Sequence, residues 1–137
     1  MSYDLVKAGI AARLNALGYV ESSQAIDFKD APANEYSYRY ILKCVTGENK
    51  ENTIIDRFDD EQDWNIQVAF SRSENNDIVQ YDALHRAKDL IIKDLDKPAN
   101  WVSFVKMLKY EKWEVIETPN YFVISIRLKI LDQYIHG

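Results

Sequence analysis

The chain has 137 residues, a mass of 16.0 kDa and a formal net charge of −5. That is the size of one domain, spanning 1–137, which can bury about two-thirds of its unfolded surface without staples. A hydrophobic fraction of 47% and an aromatic fraction of 12% exclude a disordered chain, and the acidic balance excludes a protein whose main task is to grip nucleic acid by neutralising phosphates. The one cysteine, Cys44, excludes an internal disulfide or a zinc ribbon and fits a reducing compartment. Charges at Asp4, Lys7 and Arg13 argue against a signal peptide, and no apolar run approaches the roughly 18 residues of a membrane span. A soluble protein of the cytoplasm, with no membrane partner, is expected. The charge is unevenly spread. Thr46–Asp63 holds seven acids against Lys50 and Arg57, which accounts for the whole net charge of −5.

Residues 3–17 carry Val6, Ile10, Leu14 and Leu17 at helical spacing, with Asp4 in the first turn and Gly18 placed to end the helix. Residues 21–34 read as a loop, with a short strand possible at Ala25–Phe28. Residues 35–46 alternate, with Tyr36, Tyr38, Tyr40, Leu42 and Cys44 on one face and Arg39, Ile41, Lys43 and Val45 on the other. The composition of Gly47–Asn52 predicts a turn, Thr53–Phe58 a second strand, and Asp59–Gln62 a second break. Trp64–Ser71 is a third strand, with Trp64, Ile66, Val68 and Phe70 inward.

Asp77 and Gln80 are spaced as a capping box ahead of a helix over 78–95. Its inward face is Tyr81, Leu84, Ala87, Ile91 and Leu95, and Asp94 is read among the residues that decorate its surface. A short helix over 99–108 follows Pro98, with Trp101, Val105 and Leu108 inward. Lys109–Glu117 alternates weakly, Thr118-Pro119-Asn120 is a turn, and Tyr121–Leu131 is the clearest strand in the chain. Asp132–Gly137 reads as a tail. Strands in two groups, separated by helix, predict an α+β fold: an antiparallel β-sheet with the helices packed on one face.

No residue set reads as an active site, so an enzyme is not expected, and no catalytic, cofactor-binding or metal-binding residue is assigned. Cys44 lies on an apolar face and behaves as a small buried residue. His85 falls on the outer side of a charged helix, and His136 is penultimate. Asp56, Asp59, Asp60, Glu61 and Asp63 lack the glycine and spacing of a calcium loop. The four glycines form no phosphate-binding loop. The tyrosine stripe Tyr36, Tyr38, Tyr40 is long for so small a domain and leaves room for an interface.

The layout resembles the tail terminator proteins of long-tailed bacteriophages and their tail-completion and neck relatives. The elements that carry the resemblance are the opening helix Leu5–Leu17, the strand Tyr36–Thr46 and the acidic stretch running into "DWNIQVAFSRS" (Asp63–Ser73). The helix Ile78–Leu95 and the closing strand "YFVISIRLKIL" (Tyr121–Leu131) complete it. The resemblance implies a structural virion protein, assembled in the host cytoplasm, that forms a ring of six copies. Such a ring caps the tail tube, stops its growth and meets the head-completion or neck protein, while genomic DNA passes through the lumen without specific binding. Under that reading the segment Thr46–Asp63 either lines the lumen and repels phosphates or forms an arm that reaches a neighbouring copy. The alternatives are another protein of the head–tail junction, or a small module that binds a ligand or peptide on its tyrosine face.

Overall fold

A computed structural model describes residues 2–22, 37–51, 57–72, 77–97 and 105–135. In chain order the elements are α1 (Ser2–Ala16), β1 (Val20–Glu21), β2 (Arg39–Glu51), β3 (Arg57–Ser71), α2 (Asp77–Leu95), β4 (Val105–Glu117) and β5 (Tyr121–Ile135). The strands form one sheet in the order β1-β2-β3-β5-β4. The fold is α+β, with helices packed against the sheet. The sheet is mixed rather than wholly antiparallel, because the two residues of β1 pair parallel to Arg39 and Tyr40 while every other pairing is antiparallel.

The helix α1 forms where the sequence predicts it, and Val6, Ile10 and Leu14 are fully buried. It ends in a Schellman motif: the Tyr19 N–H donates to the Leu14 carbonyl and the Gly18 N–H to the Asn15 carbonyl, each at 3.1 Å. The motif needs a left-handed residue, and Gly18 supplies it with φ 99°. Leu84, Ala87, Ile91 and Leu95 of α2 are buried, and both helices bear on the same sheet face. The period-2 pattern of the sheet supplies the other half of the core. Tyr40 and Leu42 of β2, Trp64 to Phe70 of β3 at alternate positions, and Phe122 to Ile130 of β5 at alternate positions all meet the helices. Most of the fold's stability is hydrophobic burial between these two layers.

Asp94 is a correction to the sequence reading. It is 8% exposed, and its carboxylate accepts from Arg13 Nε and Nη2, both at 2.9 Å. A charge read as surface decoration therefore joins α2 to α1 in a bidentate pair.

The chain from Thr46 to Asp63 also differs from expectation. Gly47–Glu51 continues β2 rather than turning, and Asp59–Gln62 lies inside β3. The two strands form one long hairpin whose ladder runs from Tyr40↔Val68 to Glu51↔Phe58. Gly47, Asn49 and two adjacent aspartates are poor strand formers, but backbone pairing on both sides of β3 overrides them. A bulge at Val45 falls within this hairpin, where the register shifts between Cys44 and Thr46. Past Gly47↔Gln62 the strands β2 and β3 stay paired for four more rungs, about 13 Å of strand, and β3 stays paired to β5 over the same length.

At the other end, Tyr38 stands outside β2 with φ 61° and is exposed, so the tyrosine stripe breaks before the strand begins at Arg39. Tyr36 and the proposed strand Ala25–Phe28 lie outside the described residues. Val105–Leu108 belongs to β4 rather than to a helix, and Asp132–Ile135 extends β5 rather than forming a tail. The Thr118–Asn120 turn forms as expected: Thr118 N–H donates to the Tyr121 carbonyl at 2.9 Å, and Tyr121 N–H donates to Thr118 Oγ1 at 3.0 Å. Arg72, at the end of β3, donates from Nη1 to the Thr118 carbonyl at 2.8 Å and from Nη2 to Asp77 at 3.1 Å. It thereby ties this turn to the start of α2. Asp77 opens α2, and Asn76, where a cap would sit, lies outside the described residues.

Candidate functional site

Alternation along the strands divides the sheet into a face that meets the helices and a face that does not. On the helix-free face, Ile41, Ala69, Tyr121 and Val123 form a separate buried cluster near one end. Apart from Ile116 at the edge, the described residues toward the middle of that face are polar. Ser125 donates to Asn65 Oδ1 at 2.9 Å across β5 and β3. Asp63, Arg127, Lys129 and Glu111 form a lattice over β3, β5 and β4. Asp63 stands 3.8 Å from Arg127 Nη2 and 3.9 Å from Lys129 Nζ. Glu111 stands 3.8 Å from Arg127 Nε and 3.4 Å from Lys129 Nζ. Glu111 reaches both cations from a bulge, since the register of β4 shifts between Tyr110 and Lys112.

Register places two pairs of like charge side by side: Lys109 opposite Lys129, and Lys112 opposite Arg127. Directly opposed like charges in a sheet are destabilising. Glu111 and Asp63 offset part of that repulsion, while Lys109 and Lys112 remain exposed at the outer strand. A shallow cavity of about 100 Å³ lies here, lined by Asn65, Lys112, Trp113, Glu114, Ser125 and Arg127. It falls well short of the roughly 300–1,000 Å³ of small-molecule sites.

The acidic stretch occupies the distal part of the β2–β3 hairpin. Glu48 is opposite Glu61, Asn49 opposite Asp60, Lys50 opposite Asp59 and Glu51 opposite Phe58. Asp56 lies outside the described residues. Among the described residues no group of three or more His, Cys, Asp or Glu side chains converges to hold a metal ion.

Cys44 and His85 are not brought together. Cys44 is half-buried on β2 and packs against the core. His85 is half-buried on α2 rather than solvated. Its ring meets Tyr81 at 4.7 Å and Trp113 of β4 at 5.5 Å, both edge-on. Between β2 and β4 lie β3 and β5, so three interstrand steps of about 4.8 Å separate the two strands, roughly 14 Å. A base needs hydrogen-bond reach of its nucleophile, and His85 does not have it toward Cys44. His136 lies outside the described residues.

Lys88 Nζ sits 3.9 Å over the Trp113 ring, which completes a small aromatic and cationic cluster between α2 and β4. Burial raises the pKa values of Tyr19, Tyr40 and Tyr110, in the case of Tyr40 to about 12. The Tyr40 hydroxyl donates to Asn15 Oδ1 at 2.8 Å, so it serves as a strut between β2 and α1. Among the described residues no helix is long and apolar enough to cross a membrane. The chain matches no protein-family model and no curated protein sequence.

Proposed function

We propose that this chain is a subunit of a structural ring in a bacteriophage virion, similar to the tail terminators. In this reading the ring caps the tail tube and presents the surface on which the head-completion or neck protein docks. The observation that carries the reading is the β2–β3 hairpin. Its segment Thr46–Asp63 accounts for the whole net charge of −5, and its ladder continues for four rungs past Gly47↔Gln62. Beyond Tyr40 the outer edge of β2 has no strand partner among the described residues, and such an edge invites pairing from another chain. It is well used by a subunit that must contact its neighbours. Six copies at −5 each would surround the lumen with a repulsive field, so DNA would slide through without being held. The shallow, charged cavity on the helix-free face gives little support to a small-ligand module.

The test is tube growth. Purified tail tube protein is polymerised with and without the chain, and tube lengths and ends are measured by electron microscopy. The proposal expects growth to stop and a ring to stand at one end. Tubes that grow unchanged and carry no added density would sink it. A ring at the head-proximal end without any change in length would move the chain to another position in the same junction.

A further inference from the structure

We infer that the outer edge of β4 pairs with the same edge of a second copy of this chain, antiparallel and across a two-fold axis at Trp113. The contact does not rest on the ring reading, which draws on the β2–β3 hairpin and not on β4.

The first support is an open edge. β4 ends the sheet and pairs with β5 alone, so among the described residues its outer edge meets no strand. Nor is it covered from either face. Of residues 109–117, seven are exposed, and Tyr110 and Val115 are half-buried. An open edge of this length invites a strand from another chain.

The second support is the order of charges along that edge. Past the bulge at Glu111 the register of β4 on β5 is unbroken from Lys112 to Glu117. In a two-fold antiparallel pair, residues at equal distances on either side of the axis meet on the same face of the sheet. An axis at Trp113 sets Lys112 opposite the partner's Glu114, and Glu114 opposite the partner's Lys112. Both residues are exposed, and their places opposite Arg127 and Ser125 put both on the helix-free face. An axis at Lys112, Glu114 or Glu117 sets a charge against itself. An axis at Val115 sets Glu114 against Ile116, and one at Ile116 sets Val115 against Glu117. Within this stretch only the axis at Trp113 joins opposite charges directly, and it does so twice.

The third support is the side chain on the axis. Trp113 lies opposite Ile126, on the helix side, with Lys88 Nζ 3.9 Å over its ring and His85 edge-on at 5.5 Å. These contacts hold the ring at the rim of the sheet, where it is 41% exposed. On the axis it meets its own copy as a cross-strand aromatic pair, and aromatic side chains are enriched at protein contacts. A patch that complements itself makes an isologous pair, the commonest form of assembly. The contact is small, so pairing should depend on protein concentration.

The experiment uses the full-length chain without tail tubes. Light scattering at low ionic strength follows the wild type, Lys112→Glu, Glu114→Lys, and the two variants mixed in equal amounts. Circular dichroism checks that each is folded. The inference predicts a wild-type mass that rises with concentration to at least twice 16.0 kDa. Each variant alone should pair roughly tenfold more weakly, because both attractive contacts become repulsive. The mixture should recover, since every contact between positions 112 and 114 in a mixed pair joins opposite charges. A second measurement reads the axis. In a Cys44→Ala background, Trp113→Cys faces itself with Cβ atoms about 5 Å apart and should oxidise to a covalent dimer. Glu117→Cys, four residues from the axis, should not. A wild type that stays monomeric at every concentration overturns the inference. So does association that survives both reversals, or cross-linking that is equal at positions 113 and 117. Capping of tail tubes is measured separately, so failure of this contact and failure of the ring reading are distinguishable.

Discussion

Ile126 and Ile116 carry the same side chain on adjacent strands, and the fold gives them different environments. Ile126, on β5, is fully buried under the helices with Ile66 beside it on β3; Ile116, on the edge strand β4, points to the helix-free face and is 37% exposed. Changing either to alanine removes three carbons. At about 0.8 kcal/mol per buried methylene, the transfer term at Ile126 is roughly 2.4 kcal/mol. The cavity left between two packed layers adds to it, for a total loss of about 3–4 kcal/mol. At Ile116 solvent already reaches the side chain and no cavity forms, so the loss should stay below about 1 kcal/mol. Urea unfolding followed by tryptophan fluorescence measures both. With an m-value of roughly 2 kcal/mol/M, Ile126→Ala should lower the midpoint by about 1.5–2 M and Ile116→Ala by less than about 0.5 M. Equal losses, or a larger one at Ile116, would mean that the faces of β4 and β5 are assigned wrongly.

Three more outcomes follow from single contacts. Tyr40→Phe removes the hydroxyl that donates to Asn15 and should cost about 1 kcal/mol in the same assay. Burial, and then the charge of Glu21, raise the Tyr40 pKa to about 12, so the hydroxyl stays neutral in the fold at a pH where the unfolded chain ionises. That contribution is intact below about pH 10, is lost as pH rises through about 12, and should be absent from the alkaline titration of Tyr40→Phe. Gly18→Ala meets no atom within 4 Å, yet places a side chain at φ 99°; it should cost about 1–2 kcal/mol through the backbone alone, with the melting temperature as readout. Arg13→Ala and Asp94→Ala should each destabilise, and the double variant should lose less than the sum; additive losses would show that the bidentate pair does not couple α1 to α2.

The strands at Trp64–Phe70 and Phe122–Ile130 were legible because each alternates cleanly and has one face in the core. Both long helices were legible from their apolar spacing and, for α1, from Gly18. The misses have particular causes. Hydropathy marks Asp94 as surface, because nothing local to α2 announces that Arg13 waits on another helix. Gly47, Asn49, Asp59 and Asp60 have turn-forming character, and only pairing with neighbouring strands turns that stretch into a hairpin. Trp101, Val105 and Leu108 fall at helical spacing, which hid the start of β4, and two bulges blur its alternation further on. β1 is two residues long and depends wholly on a parallel partner distant in sequence. For the candidate surface, the charge of the 46–63 segment could be counted directly. The cation rows could not, since Lys109 meets Lys129 and Lys112 meets Arg127 only through the register of β4 on β5.

The acids of residues 46–63 lie on the β2–β3 hairpin, and the register of β4 on β5 sets Lys109 beside Lys129 and Lys112 beside Arg127. A structural reading of this kind predicts behaviour in solution rather than turnover of a substrate. The most direct measurement is therefore the mass of the full-length protein by light scattering, alone and after incubation with tail tubes. The account predicts particles near six times the 16.0 kDa chain mass, free or bound at tube ends. A 16.0 kDa monomer that neither associates nor binds tubes under any salt condition would contradict it.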